Sequence, residues 1–369
     1  MRTSPKLKLK LSSFLEISIF IIFFSQNSFA QMVPIGFYEG LMGNSGVAIS
    51  DSTASSYYNP SLLTFKNKNS YSLGGNSFSN FNSDYNDAKV NSSKISPSYL
   101  SSVQVFDSFV HEFYLTNTLS LDAQIVAPSS SGGEFQYNIR QDQYQMGYTF
   151  AFPSLPMGFQ TSLRFKEAQT NGFFEFQDST SALTSNIQGS NRQIDFLISI
   201  GAAHQFGAYK FGYKYLSRGW AVYKKNEGLV KNFLYIPLTN QYSKSESAYS
   251  LEQPSTGETI SFGHGFKIND HEFLTDSQFV ETPDLTHTYD WSQTFGYKLS
   301  SASGYQYMCG ISHVITKEIK YFGQNIYVST GFSWLNKASR SAFGIYYYTN
   351  RLSSETRSYG LTFSSELTY

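Results

Sequence analysis

The sequence predicts an all-β protein, a transmembrane antiparallel β-barrel of about fourteen strands. Three observations carry that reading. From Asn69 onward the chain breaks into segments of about ten residues in which apolar residues alternate with polar or small ones. The connections between segments are tight and long by turns. The first thirty residues form an export address.

The alternation is clearest between Gln143 and Lys166. Tyr144, Met146, Tyr148, Phe150 and Phe152 alternate with Gln143, Gln145, Gly147, Thr149 and Ala151, so one face is apolar and the other polar or small. After Pro153-Ser154-Leu155-Pro156, a second arm places Met157, Phe159, Leu163 and Phe165 on one side and Gly158, Gln160, Ser162, Arg164 and Lys166 on the other. Two such arms make an antiparallel pair. A soluble sandwich would turn the apolar face inward, so the pattern alone does not say which side meets water.

The start of the chain bears on that choice. Arg2, Lys6, Lys8 and Lys10 precede an apolar run from Phe14 to Phe24, and Ser28-Phe29-Ala30 places small residues where a signal peptidase reads. The run is about half of the ~20 residues a spanning helix needs, and Glu16 interrupts it. Residues 1–30 are expected to be a cleaved signal peptide, leaving a chain that starts at Gln31. The residue directly after that site is Gln31 and not a cysteine, which excludes a lipoprotein anchor.

Removing four basic residues and one acidic residue leaves 23 Lys+Arg against 26 Asp+Glu, so nucleic-acid binding has no electrostatic footprint. Cys309 is the only cysteine, which excludes an internal disulfide framework and a thiolate metal cluster. It falls on the apolar row of its strand and reads as a small hydrophobe. Aromatics reach 17% while hydrophobic residues total 40%, the balance of a barrel with a wet interior and aromatic girdles.

Residues 31–63 do not alternate. From Gly36 they are small and glycine-rich, ending in Tyr57-Tyr58-Asn59-Pro60 and a short apolar tail. This stretch resembles the opening of the outer-membrane transporters of hydrophobic compounds typified by the long-chain fatty acid transporter FadL, a glycine-rich segment running through small and acidic residues to Asn-Pro-Ala. Gly43, Gly46, Val47, Ala48, Asp51, Ala54, Asn59 and Pro60 stand where that pattern asks. Ser61 replaces the usual alanine, and the acidic pair is reduced to Asp51 with Ser52 beside it. Secretion-linked barrels of the PorV and PorQ type open similarly. The resemblance implies that residues 31–66 fold back into the lumen as a hatch, with Gly43, Gly46, Asp51, Asn59 and Pro60 as its key positions, and that residues 67–369 are the barrel. The composition also suits a disordered periplasmic tail.

Strands are expected at 69–79, 94–106, 109–126, 138–152, 157–170, 190–206, 209–224, 258–268, 271–281, 285–299, 304–315, 325–335, 341–350 and 357–369. Tight turns fall at Asp107-Ser108, Pro153 to Pro156, Gly207-Ala208, Asn269-Asp270 and Ser300 to Ser303. Longer polar loops are expected at 80–93, 171–189 and 225–257. Short connections on one side and long ones on the other are the asymmetry of outer-membrane barrels. Backbone groups in hydrocarbon must all be paired, so strands with an apolar outer row must close on themselves. In the last strand Leu361, Phe363, Leu367 and Tyr369 face out, and a terminal aromatic resembles the signal read by the barrel-assembly machinery.

Catalytic chemistry is not evident. His111, His204, His264 and His313 fall on outward rows and read as polar-tipped rings near headgroups, so no metal site and no cofactor is expected. Glu112, Asp122, Arg164, Asp195, Lys214 and Glu366 face the lumen, either as a polar track or as charges that neutralise one another. No Ser-His-acid arrangement is brought together by the strand phasing, so no enzyme is expected.

The expected function is passive uptake of a hydrophobic small molecule, such as a long-chain fatty acid, through the outer membrane of a Gram-negative type cell. The alternative is a non-channel barrel serving as a secretion-system or surface scaffold. The expected partners are the outer-membrane bilayer, a hydrophobic ligand and the barrel-assembly machinery. Loop 171–189 carries Phe173, Phe174 and Phe176, and loop 225–257 carries Phe233, Leu234, Tyr235 and Ile236. Runs this apolar are unusual in exposed loops, and the resemblance implies that these two loops form a substrate-acquiring groove. They also suit packing across the mouth or strands that continue above the membrane. Antiparallel pairing centred on Asp107 sets Pro97 opposite Asn117, roughly 25 Å above the turn. Pro97 offers no N–H to a ladder, and Asn117 interrupts the outward series Phe109, Phe113, Leu115, Leu119 and Leu121. The resemblance implies a lateral opening there, beside a kink in the third strand. A register slip of one or two residues would instead leave both positions harmless.

Overall fold

A computed structural model describes residues 34–36, 38–48, 54–85, 88–91, 94–128, 134–177, 182–236, 239–250, 255–281, 289–315, 325–336, 338–350 and 356–369. The strands in chain order are β1 (Ser70–Tyr85), β2 (Ala88–Asn91), β3 (Lys94–Val105), β4 (Val110–Pro128), β5 (Glu134–Phe152), β6 (Met157–Gln177), β7 (Ala182–Phe206), β8 (Tyr209–Leu216), β9 (Trp220–Ile236), β10 (Gln241–Ala248), β11 (Thr259–Ile268), β12 (His271–Glu281), β13 (Tyr289–Ser300), β14 (Tyr305–Ile315), β15 (Asn325–Leu335), β16 (Ser339–Asn350) and β17 (Thr356–Thr368).

Each strand pairs antiparallel with its neighbour, and β17 pairs back onto β1 from Ser70↔Thr368 upward, so the sheet is closed. At this seam the Tyr71 and Tyr369 rings stack at 5.3 Å, and Lys66 reaches Glu366 at 3.2 Å. β8 and β9 act as one strand stepped at Ser217 to Gly219, since both pair with β7. With β2 and β10 counted as additions, the barrel has the fourteen strands that the alternation predicts.

The two faces separate as the period of two requires. Thr149, Gln160 and Ser199 are buried inward, while Tyr148, Phe159 and Ile198 are exposed outward, and the same holds around the wall through Phe273, Phe295, Phe332 and Leu361. An apolar exterior this continuous belongs in hydrocarbon. His204 and His264 lie on that exterior close to the short turns, whereas His313 is enclosed by its neighbours. Among the described residues no group of three or more His, Cys, Asp or Glu is placed to hold a metal ion.

Short turns gather at one rim. Two-residue turns need left-handed backbone, supplied by Gly207 (φ 59) and Asn269 (φ 52). At the other rim the strands run beyond their expected ends. The stretches 171–189 and 225–257, expected as loops, are largely strand: Gly172 pairs with Ile187, and β9 and β10 form a hairpin from Leu229↔Ala248 to Ile236↔Gln241. Apolar runs on both faces, as at Phe173-Phe174 and Phe233 to Ile236, and polar stretches between them hide the period of two in the sequence, but the backbone still needs partners above the membrane and finds them in the ladder.

The N-terminal segment packs against the inward wall. Helix α1 (Tyr38–Leu41), helix α2 (Ser55–Tyr58) and a 3-10 turn (Pro60–Phe65) bury Tyr38, Leu41, Met42 and Leu62 together with Ala203, Leu274, Met308 and Ala342 of the strands. The approach is so close that Gly43 (φ 73) could carry no side chain, since a Cβ there would lie 2.7 Å from the Ile311 amide nitrogen. The wall is glycine on its own side of this contact, where a Cβ on Gly310 would overlap Gly43.

Candidate functional site

Asn59 ties the segment together. Its Nδ2 donates to the carbonyls of Val47 (2.9 Å) and Ala202 (3.2 Å), while Oδ1 accepts from the Ser61 amide (3.1 Å) and hydroxyl (2.8 Å). The Oδ1 bonds cap the 3-10 turn, and Pro60 occupies its first position. Ser61, where the resembled pattern has alanine, therefore adds one more donor to the cap. Gly46 is forced by crowding from the other side, because a Cβ would lie 2.5 Å from the Tyr58 ring. Asp51 lies outside the described residues.

Polar side chains of the wall hold the segment, three charged ones among them. Asp276 of β12 accepts the Gly46 and Val47 N–H groups on one oxygen, at 2.6 and 2.9 Å. Lys214 of β8 donates to the Tyr57 carbonyl at the end of α2, and its ammonium lies 5.3 Å from the Tyr57 ring centre. Glu112 of β4 accepts from the Ser56 hydroxyl and from the Tyr99 hydroxyl, the latter at 2.8 Å. Burial pushes the Tyr57 phenol up from its ordinary pKa, opposed by the charge of Arg164.

The other lumen charges divide into two groups. Asp195 is bound by Lys166 at 2.8 Å and by Thr256. Glu366 meets Lys66 and Arg340, and Glu272 meets Lys210 at 3.1 Å and Lys298 at 2.6 Å. Among the described residues Arg164 instead bonds neutral groups only, Gln145 Oε1 at 2.7 and 3.1 Å and Thr256 Oγ1 at 3.2 Å. Lys214 likewise meets no carboxylate among the described residues. The Asp122 side chain lies outside the described residues.

A cavity of about 190 Å³ lies between the segment and the wall. Ile35, Val47, Tyr57 and Tyr58 of the segment and Leu216, Val280 and Val314 of the strands form its apolar lining. Arg164, Lys214, Gln145, Ser261, Asp276 and Asp290 form its polar lining, and Thr118 marks where it reaches β4.

The wall is irregular at that point. The β4–β5 ladder skips Thr118 between Asn117↔Tyr144 and Leu119↔Gln143, and the β1–β3 ladder skips Ser98 between Gly74↔Tyr99 and Gly75↔Pro97. These are β-bulges, which bend a strand and locally disrupt its ladder. Between them the β3–β4 ladder runs from Val105↔Val110 only as far as Tyr99↔Thr116. The Thr116 hydroxyl donates to the Ser98 carbonyl at 2.6 Å just above the last pair. Higher up, β2 joins β4 at Asn91↔Gln124.

Two expectations about this region need correcting. The turn closes with Phe106 N–H donating to the Phe109 carbonyl at 2.9 Å, so the pairing is centred between Asp107 and Ser108 rather than on Asp107. The pairs run out at Tyr99↔Thr116, and continuing that register one step would bring Ser98, not Pro97, to Asn117. The bulge at Thr118 also shifts the phase of β4, so that Leu119 is in register with inward-facing Gln143 and not on the outer row. A bulge adds one residue and leaves no mark on the apolar pattern that precedes it.

The apolar runs near the mouth are split between faces by the same period of two. Phe174 turns inward onto a cluster of Tyr137, Ile139 and Ile187 with Val230 and Tyr249. Phe173 and Phe233 are exposed, and the Lys244 ammonium lies 5.6 Å from the Phe233 ring centre. Leu234, Tyr235 and Ile236 are half-buried in the β9–β10 hairpin, where the Tyr235 and Tyr242 rings stack at 4.8 Å. The Phe176 backbone pairs with Leu183, and its side chain lies outside the described residues. Nothing in the sequence singles out Tyr249, whose ring fills the space left by Gly189 and Gly228.

The closed, apolar-clad barrel with its lumen packed from the N-terminus defines a β-barrel membrane protein of FadL-type architecture. Among solved structures, the fold is similar to the toluene transporter TbuX of Ralstonia pickettii, at 10% identity over 92% of this chain and 99% of that one, with a TM-score of 0.67. It is similar to a deltaS2 mutant of the monoaromatic hydrocarbon channel TodX, at 11% identity over 92% and 99% with a TM-score of 0.68. A FadL homologue of Pseudomonas aeruginosa matches at 13% identity over 92% and 99%, with a TM-score of 0.57. At these identities the likeness is one of fold. No protein-family model matches the chain, and no curated protein matches it.

Proposed function

We propose that the protein is an outer-membrane channel for passive uptake of a small hydrophobic compound, with the N-terminal segment as its hatch and the β3–β4 slit as its way out. The observation that carries the reading is that the cavity reaches the wall at Thr118, beside the place where the β3–β4 ladder ends. A hydrophobic ligand leaving there meets lipid or the wall and avoids the polar floor. Straight down, the Lys66–Glu366–Arg340 and Lys210–Glu272–Lys298 ion pairs flank Tyr38, and an uncharged ligand would have to part them.

Size narrows the ligand. A dry cavity of ~150 Å³ takes one benzene ring, so about 190 Å³ suits a ring with a short substituent or a short alkyl chain. A long-chain fatty acid would have to pass its tail into the slit. The signal peptide at residues 1–30, a Gram-negative outer membrane and delivery by the barrel-assembly machinery belong to the same reading.

Proteoliposomes and intact cells carrying the protein test it, with radiolabelled toluene, octanoate and palmitate as probes. Faster equilibration of at least one probe than in protein-free vesicles supports the channel. Rates equal to the empty control for all three would overturn it.

A further inference from the structure

The outer wall carries a polar spot inside its apolar belt. Ser277 of β12, Gln293 of β13 and His313 of β14 stand side by side in register. Ser292 and Thr294, the chain neighbours of Gln293, are buried toward the lumen, so Gln293 points outward, on the row where Trp291 and Phe295 are exposed. Phe279 lies across from Trp291 and Ile311 across from Phe295, so apolar side chains flank the spot above and below. Ser277 lies seven residues above the Asn269-Asp270 turn, a height of roughly 18 Å in an apolar band ~25 Å tall. The spot therefore faces hydrocarbon and not water.

The Gln293 amide is held in place but not used up. Its Nε2 donates to the Thr275 hydroxyl at 2.6 Å, and its Oε1 accepts from the Ser277 hydroxyl at 2.5 Å. An amide group offers two donors and two acceptor sites. One N–H and one lone pair are left over, and the described residues supply no hydrogen bond to either. On a wet surface water would take both. Hydrocarbon offers no such substitute, and an unmatched polar group there is costly.

What is left over has a particular shape. One donor beside one acceptor on a planar amide is matched by a second copy of the same amide, through two reciprocal N–H···O bonds. Two copies in one bilayer share an orientation, so a two-fold axis relating them runs along the membrane normal and brings equal heights together. Gln293 near that axis meets its own counterpart, with Thr275 and Ser277 fixing the plane of each amide. Apolar side chains gain little by leaving lipid for protein. The polar contact therefore sets where the copies dock, and Phe279, Trp291 and Phe295 pack around it.

We infer that the β12–β13 face is a two-fold contact between copies of this chain within the membrane, centred on the Gln293 amide. Counted round the fourteen wall strands from β1, β3 and β4 are second and third, and β12 and β13 are ninth and tenth. The contact and the slit lie half a turn apart. Docking through Gln293 leaves both slits facing lipid, whatever compound the lumen carries.

The test is energy transfer between donor- and acceptor-labelled copies of the full-length protein in lipid vesicles, over a range of protein-to-lipid ratios. The label sits on Ser301→Cys, in an exposed short turn, with Cys309→Ala in the background. Transfer above the level of random proximity is expected. Gln293→Leu should require about tenfold more protein per lipid for the same transfer, since it removes two hydrogen bonds formed in the membrane, and its heat-modifiable migration should be retained. Thr161→Leu, which removes a hydroxyl from the exposed outward face of β6, should change nothing. In outer membranes, without the label and again with Cys309→Ala, Gln293→Cys should cross-link to a dimer through a short bismaleimide and Thr161→Cys should not. Transfer no higher than random proximity would overturn the inference, and so would transfer that Gln293→Leu leaves undiminished. Equal cross-linking from positions 161 and 293, or cross-linking of position 293 to a different protein instead of its own copy, would overturn it too.

Discussion

The Gly46 amide donates to the Asp276 carboxylate at 2.6 Å, joining residues 230 positions apart in the chain. A bond of this kind to a charged acceptor contributes about 1.5–3 kcal/mol. Asp276→Ala removes it along with the Val47 bond. The barrel ladder does not depend on either, so heat-modifiable migration on a gel should be retained. Single-channel conductance to small ions should rise as the segment loosens, and an unchanged trace would show that Asp276 does not hold the lumen shut.

Asn59→Ala acts on the same segment from the other end. It loses two bonds to carbonyls and the cap of the 3-10 turn, together about 2–3 kcal/mol. The expected outcome is faster permeation of a hydrophilic dye through proteoliposomes with the folded band intact. Loss of that band would mean that the barrel needs the segment in order to form.

The slit has its own test. Continuing the β3–β4 register one step past its last pair, Tyr99↔Thr116, brings Ser98 to Asn117. Ser98→Cys combined with Asn117→Cys should form a disulfide on oxidation and slow uptake of the hydrophobic probe, with recovery after reduction. Uptake that is the same in both redox states, with the bond confirmed by mass spectrometry, would remove the slit from the path.

Neighbouring phenylalanines at the mouth should differ. Phe174 lies on the inward cluster and Phe173 is exposed on the other face. Phe174→Ser should reduce probe uptake at low concentration several-fold, and Phe173→Ser should change it little. If the two behave alike, the inward cluster plays no part in capture.

Much of this fold was legible because the period of two is a local signal. Tyr144 to Phe152 announced their outer face, and Gly207-Ala208 and Asn269-Asp270 announced two-residue turns. The upper parts of β6, β7, β9 and β10 were not legible as strands, since above the hydrocarbon the outer face need not be apolar while the inner face carries an apolar cluster, so the alternation is lost. Register at the slit was off by one because a turn of Asp107 and Ser108 has no residue at its centre. Asn59 and Pro60 were found through a motif. Lys214, Arg164 and Asp276 gather around one cavity only because β6, β8 and β12 curve toward the same lumen, a closeness that sequence separation conceals. The bulges at Ser98 and Thr118 fall one residue beyond Pro97 and Asn117, the two positions that break their rows in the sequence, so their neighbourhood was legible though their exact place was not.

The contact between Lys66 and Glu366 at the barrel seam sets an order in time. The residue leading out of the N-terminal segment is held by the last strand of the chain, and that strand also closes the circle with β1. The segment precedes every strand in the chain, yet part of its seat exists only when β17 has arrived. The Lys66 end of the segment can therefore settle only when β17 has paired with β1, so closing the wall and anchoring that end are one event.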